Sequence, residues 1–231
     1  MALIRAAGWG GKVPRRLLVI EANTMLRIVC VSDTHGKHRK TMIPDGHILL
    51  HAGDLTEHGK LDEVEDFNRW LGSLPHRHKI VIAGNHDFCF AERPYEARAR
   101  ITNALYLEDT ATEVEGVKIY GSPWQPWFGG WAFNLPRGPE LAAVWAKIPD
   151  DTDILITHGP PEGILDQNRR GDCCGCRDLL GRVLELRPRL HVFGHIHEAA
   201  GQLLIGDTTF VNASSNMGYG SATVIEWEGG T

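Results

Sequence analysis

Cysteine is scarce: five residues in 231, an odd number that argues against a disulfide scaffold. Cys30 falls inside the aliphatic run Leu26 to Val31, where a reduced thiol packs as a small hydrophobe. The cluster Cys173, Cys174 and Cys176 has neither a second CxxC nor a neighbouring histidine pair. It reads as reduced thiols at a helix start, with metal binding or redox sensing as the alternative. Long apolar runs are absent too, none approaching the ~18 to 20 residues of a membrane span. Basic residues do not predominate, 24 against 29 acidic, and no long run of them occurs. Long nucleic acid and anionic membrane are therefore poor partners. There is no internal repeat and no low-complexity segment. The start of the chain is basic, with Arg5, Lys12, Arg15 and Arg16. Its one apolar run, Leu17 to Ile20, is too short for a signal-peptide core, so a cytoplasmic protein is expected. Residues 1–24 read as an arm or an upstream-start extension, and residues 25–231 as one domain.

What is present is a series of short aliphatic runs that end abruptly in polar residues. Leu26 to Val31, His47 to His51, Lys79 to Ala83, Asp153 to Thr157 and Leu190 to Phe193 have no helical spacing and read as buried strands. Between them, Lys60 to Leu74 places Leu61, Val64, Phe67, Trp70, Leu71 and Leu74 on one helical face, and Pro75 ends that helix. Arg177 to Leu186 repeats the pattern, while Glu92 to Asn103 and Glu140 to Ile148 are weaker helices. Thr112 to Val114 and Val117 to Tyr120 flank Glu115-Gly116 as a hairpin, so the sheets are mixed rather than parallel throughout. Gln202 to Ile205, Thr208 to Asn212 and Ala222 to Trp227 read as consecutive antiparallel strands. The stretch Ser122 to Pro139 is long and irregular, and such loops in compact domains are usually functional. It carries Trp124, Trp127, Phe128 and Trp131, which form either a satellite hydrophobic cluster or a substrate wall.

The residues that end the runs are donors of metal type: Asp33-Thr34-His35, Gly53-Asp54, Gly84-Asn85-His86-Asp87, His158-Gly159 and Gly194-His195-Ile196-His197. Each alone is weak, since Asn-His-Asp after a strand also serves as a capping turn. Together they read as one site assembled from five strand ends. Asp33 and His35, two apart past a strand, can project to the same side, and the Asp54 carboxylate is able to bridge two metals. Asn85, His158, His195 and His197 bring the donors to seven, enough for two sites sharing one ligand. Seven other histidines match no motif; of these, His51 is the one expected nearest the site's edge.

This order of motifs resembles the calcineurin-like metallophosphoesterases. The segments Gly121 to Trp127, Thr157 to Pro161, His191 to Gly194 and Asn212 to Ser214 are similar to the metallophosphoesterase-domain-containing branch. The resemblance implies an α/β fold of two facing mixed β-sheets flanked by helices, a four-layer αββα sandwich. It also implies two divalent ions, one held by Asp33, His35, Asp54 and His197, the other by Asp54, Asn85, His158 and His195. His86 would face the substrate without coordinating, oriented by Asp87. Mixed nitrogen and oxygen donors favour manganese or iron, with zinc as a third option. The implied activity is hydrolysis of phosphodiesters in small nucleotides such as cyclic nucleotides, by a metal-bridging hydroxide, with His86 as general acid because imidazole titrates near neutral pH. Two alternatives stay open: a phosphomonoesterase, including a phosphoprotein phosphatase, and a non-catalytic scaffold on the same fold. Nothing in the sequence fixes the oligomeric state.

Overall fold

The computed structural model describes residues 25–228, so the expectations for residues 1–24, including a strand at Leu17 to Ile20, lie outside the described residues. From Met25 the chain enters β1 (Leu26–Val31), then β2 (Ile48–His51), the helix α1 (Leu61–Ser73) and β3 (His78–Val81). The start of α1 is fixed by Glu63, whose carboxylate accepts the Lys60 amide across the first turn (2.9 Å). Leu74 is already extended at its end, as the following Pro75 requires. Two short helices follow, α2 (Phe88–Glu92), which the sequence did not announce, and α3 (Pro94–Arg100), with proline in its first turn. After β4 (Leu105–Tyr106) come the hairpin β5 (Thr110–Val114) and β6 (Val117–Ser122), and the paired short strands β7 (Gln125–Pro126) and β8 (Asn134–Leu135). The remaining elements are α4 (Pro139–Trp145), β9 (Ile154–Thr157), α5 (Arg177–Leu186), β10 (Leu190–Phe193), β11 (Gly201–Ile205), β12 (Thr208–Asn212) and β13 (Thr223–Trp227). Cys176 caps α5, its sulfur accepting the Leu179 amide (3.4 Å), as expected of a thiol at a helix start.

Two large mixed sheets result, ordered β13-β1-β2-β3-β4 and β11-β12-β10-β9-β6-β5. Successive side chains of a strand point to opposite faces, so the unbroken aliphatic runs bury both faces of the central strands. In the first sheet Ile28, Cys30, Ile48, Leu50 and Ile80 point inward and meet Ile119, Ile154, Ile156, Val192 and Val211 of the second. Val29, Val31, Leu49 and Val81 point outward against Val64, Phe67, Trp70 and Leu71 of α1. On the far side Tyr120, Leu155, Phe193 and Phe210 pack beneath α4 and α5. The four layers are therefore helix, sheet, sheet, helix, as the resemblance implies. One expectation fails: the tail is not three consecutive antiparallel strands. β11 and β12 form a hairpin in the second sheet, whereas β13 crosses to the first and pairs antiparallel with β1, Leu26 opposite Trp227. β1, β2 and β3 run parallel, as do β6, β9, β10 and β12, so the carboxyl ends of the central strands open at one rim. Ligands of open α/β sheets bind at such a rim.

His191 on β10 lies wholly inside the second sheet, its Nε2 against the Thr157 hydroxyl (2.9 Å), and burial pushes its pKa down to about 3. The unfolded chain protonates that ring near 6.5, so its penalty is absent above that pH and grows as pH falls toward about 3. Each pH unit inside this window is worth up to ~1.4 kcal/mol. His191→Gln is therefore expected to shrink the drop in urea midpoint between pH 7 and pH 5, read against the parent chain; an unchanged drop would place the proton uptake elsewhere.

Candidate metal centre

Every donor singled out in the sequence sits where a central strand runs out. Asp33 and His35 follow β1, Asp54 follows β2, Asn85 and His86 follow β3, His158 follows β9, and His195 and His197 follow β10. Donor atoms of Asp33, His35 and His197 lie within 4.8 Å of one another, as do those of Asp33, Asp54 and His158. The Asp54 carboxylate faces both groups, Oδ2 being 3.5 Å from His35 Nε2 and Oδ1 3.5 Å from His158 Nε2. Asn85 Oδ1 is 2.8 Å from His158 Nε2, and the His195 ring lies 5.1 Å from that of His158. The structure thus brings all seven donors together. Asp33 reaches into both groups as Asp54 does, which spacing alone did not indicate.

The turns that present these donors are held in unfavourable backbone conformations. Asp33, His35, Asp54 and His195 have φ of 56°, 44°, 54° and 69°, the left-handed region that costs non-glycine residues ~1 to 2 kcal/mol. Such strain persists only where surroundings over-determine it. Here the Asp33 amide donates to Gly53 O (3.0 Å), the His35 amide to Asp54 O (3.0 Å), and the Ser215 hydroxyl to Asp33 O (3.1 Å). Close approach also explains two motif glycines. A Cβ at Gly84 would strike Asp54 Oδ1 and His158, and one at Gly194 would strike Asp33 Oδ2 and Ser32.

Asp33 and Asp54 are almost wholly buried, and among the described residues no lysine or arginine stands within ion-pair distance of either. Burial opposes their ionisation, but the facing imidazoles outweigh it. His197, His158 and His35 hold Asp33 well below the usual carboxylate range, and His158 and His35 bring Asp54 down to about 2. Against the same burial, Asp54 and Asp33 raise His158 to about 9. His158 Nδ1 faces the carbonyl of Ala52 (2.8 Å), which leaves Nε2 as the donor turned toward the carboxylates. Buried anionic oxygens, imidazole nitrogens aimed among them and an amide oxygen form a set that suits borderline divalent cations. The residues fit two such ions.

His86 stands beside this cluster, its ring edge-on to His35 at 4.5 Å. The expected support from Asp87 takes another form. The Asp87 carboxylate, pushed up to about 6 by burial and the neighbouring Asp54 charge, accepts from the amides of Gly84, Leu55 and Thr56 and from the Thr56 hydroxyl. It does not meet the His86 ring. That ring is oriented by a residue the sequence reading passed over, Glu57, whose carbonyl lies 2.9 Å from His86 Nδ1. Asp87 acts one step back, by anchoring the loop that carries Glu57. The available signal was an acid three residues past Asp54 on the same strand-end loop.

The aromatic stretch divides. Trp124 is half-buried against the helical layers, donates to Asp109 (3.2 Å) and does not line the cavity beside His195. Trp131 lies against His86 with the rings tilted by 35° and their centres 4.4 Å apart, and Phe128 lies 5.0 Å from His195. Trp127 is 64% exposed and, with Phe128 and His195, lines a cavity of about 410 Å³. His51 does not line the site's edge: it is fully buried behind Thr34, Nε2 to Oγ1 3.1 Å.

A strand-end centre of this kind, in a four-layer αββα sandwich, defines a class of metal-dependent phosphoesterase. The chain belongs to the calcineurin-like phosphoesterase family, whose model matches residues 26–199. Within it the chain falls in the metallophosphoesterase-domain-containing branch. It is 49% identical over 213 residues to metallophosphoesterase domain-containing protein 1 of Homo sapiens and, equally, of Mus musculus. These matches cover 81% of this chain but 65% of those proteins, so the chain spans about two-thirds of their length. A UPF0046 protein of Caenorhabditis elegans is 41% identical over 204 residues, covering 82% of this chain and 69% of that protein. Among solved structures, TT1561 of Thermus thermophilus shares the fold at a TM-score of 0.59 and 16% identity, covering 84% of this chain and 91% of its own.

Asp54→Ala is expected to lose both metals, because its two oxygens serve the two histidine groups. Elemental analysis of the purified protein reads this directly, and one ion kept at full occupancy would transfer the bridging role to Asp33.

Proposed function

We propose that this chain hydrolyses phosphodiester bonds of small nucleotides at a dinuclear metal centre, with His86 as the general acid. The observation that carries the reading is the convergence of seven donors around two buried, ionised carboxylates that no lysine or arginine among the described residues neutralises. When bound, two divalent ions roughly 3.5 to 4 Å apart supply Lewis acidity toward phosphoryl oxygens and a water of lowered pKa. Asp33, His35, Asp54 and His197 would hold one ion, and Asp54, Asn85, His158 and His195 the other. Manganese or iron suits this set, with zinc also compatible.

The chain's own part is placement and proton delivery. As the water oxygen bonds to phosphorus and the ester P–O bond breaks, the leaving oxygen takes a proton from His86. With Nδ1–H directed at the Glu57 carbonyl, the transferable proton sits on Nε2. Trp131 covers one face of the ring and limits its rotation. Trp127 and Phe128 offer apolar faces beside His195, and aromatic faces stack a nucleobase without reading its identity. The acidic balance of the chain supports a small substrate over a polymer. All five cysteines are free thiols, which supports a cytoplasmic setting.

His86→Ala is expected to keep both metals and lose roughly 10² to 10⁴ in rate. Metal content and turnover measured on one preparation test this, and loss of an ion with the fold intact would make His86 a ligand. Trp127→Ala should lower the ratio of cyclic-nucleotide to bis-p-nitrophenyl phosphate hydrolysis about tenfold, the equivalent of ~1.4 kcal/mol of lost stacking. An unchanged ratio removes Trp127 as a base platform. Faster turnover of p-nitrophenyl phosphate than of the bis ester would favour a monoesterase.

A further inference from the structure

A third carboxylate stands at the rim of the centre. The donor atoms of Glu57, His35 and His86 lie within 4.8 Å of one another, and the Glu57 side chain is 30% exposed, open to a ligand. Its backbone is fixed on both sides. The Glu57 amide donates to Glu63 Oε1 (3.1 Å), the Thr56 amide and hydroxyl donate to Asp87, and the Gly59 amide donates to Thr56 Oγ1 (3.1 Å). Lys37 Nζ approaches Oε2 (3.4 Å), and Oε1 has no hydrogen-bond partner among the described residues.

We propose that Glu57 is a specificity-determining residue, its carboxylate accepting a hydrogen bond from a hydroxyl on the carbon adjacent to the one that bears the scissile ester oxygen. The preferred substrate is then a phosphodiester whose leaving alcohol is a vicinal diol, as in a ribonucleotide, over its deoxy counterpart. This rests on the phosphodiesterase reading above and deepens it.

Three observations carry the assignment. One residue meets the ring in two ways: its carbonyl sets the His86 ring that would protonate the departing oxygen, and its carboxylate has an oxygen within 4.8 Å of a nitrogen of that ring and of His35. A separation of no more than 4.8 Å leaves the imidazole and the carboxylate within reach of two oxygens on adjacent carbons of one alcohol, at ordinary hydrogen-bond lengths of about 2.7 to 3.0 Å. The Lys37 ammonium disfavours a third metal ion at the same place, since a fixed positive charge beside Oε2 repels another cation. A half-exposed pair such as Lys37–Glu57 adds little stability, so fold maintenance does not explain a carboxylate in this position.

The test uses the full chain loaded with manganese and measures kcat/KM on 3′,5′-cyclic AMP and its 2′-deoxy analogue, with bis-p-nitrophenyl phosphate alongside. The parent chain is expected to prefer the ribonucleotide about tenfold or more, and Glu57→Ala to bring that ratio toward one while retaining two metals per chain. A parent with no preference, or a ratio that Glu57→Ala leaves unchanged, overturns the assignment. So does a third metal in the parent that Glu57→Ala loses. If the variant folds poorly, the preference of the parent decides alone. Hydrolysis of both cyclic nucleotides at equal efficiency removes only the role of Glu57, whereas failure on all three diesters removes the phosphodiesterase reading and this inference with it.

Discussion

Two aspartates taken out of water at the end of a sheet constrain almost everything else in this molecule. An isolated buried carboxylate is expensive, and among the described residues Asp33 and Asp54 have no lysine or arginine to meet. They are kept charged by imidazoles from both sheets and by backbone amides, the His195 amide donating to Asp33 and the His86 amide to Asp54. Those partners come from strands far apart in the chain, so the two sheets must face one another for the carboxylates to be satisfied. Divalent cations would complete the balance, and their binding would add to the stability of the folded state.

The same constraint explains where strain is stored. Four of the seven donor residues sit on or beside left-handed turns, and the motif glycines at 84 and 194 give up a side chain so that a carboxylate can approach the backbone. The layered core supplies the rigidity that holds such turns, with buried strands pinned between apolar faces on either side. Precision at the rim is thus a consequence of packing well below it.

Around the centre the surroundings are unlike on the two sides. Beside His195 lie the apolar faces of Trp127 and Phe128, and beside His86 lie Glu57 and Lys37, a hydrogen-bonding pair of groups. Trp131 and Phe128 stack between these regions, rings 6.2 Å apart, and link them into one surface. The asymmetry is what motivates the nucleotide substrate proposed above, which carries an apolar plane at one end and hydroxyls at the other.

Much of this was legible before any coordinates. Aliphatic runs marked the central strands because both faces of each are buried, and α5 and β10 fall on the expected residues, Arg177–Leu186 and Leu190–Phe193. The donors were legible for the same reason: a run that stops at a metal-type residue marks a strand end, a local property of the chain. The rest was not local. β13 leaves its hairpin neighbours for β1, a pairing across almost the whole described chain that no spacing announces. Asp87 serves amides 31 and 32 residues away instead of the ring beside it, and Trp124 is half-buried against two core clusters while Trp127, three residues later, faces solvent. Nothing in the spacing of the motifs singles out Glu57. Its place beside His86 exists only because β2 and β3 lie parallel and release their loops at the same rim. Sequence determined the strands and the candidate donors that end them, because burial and ligand chemistry are written residue by residue; tertiary structure decided which side chains share a space, because that depends on the register of strands distant in the chain.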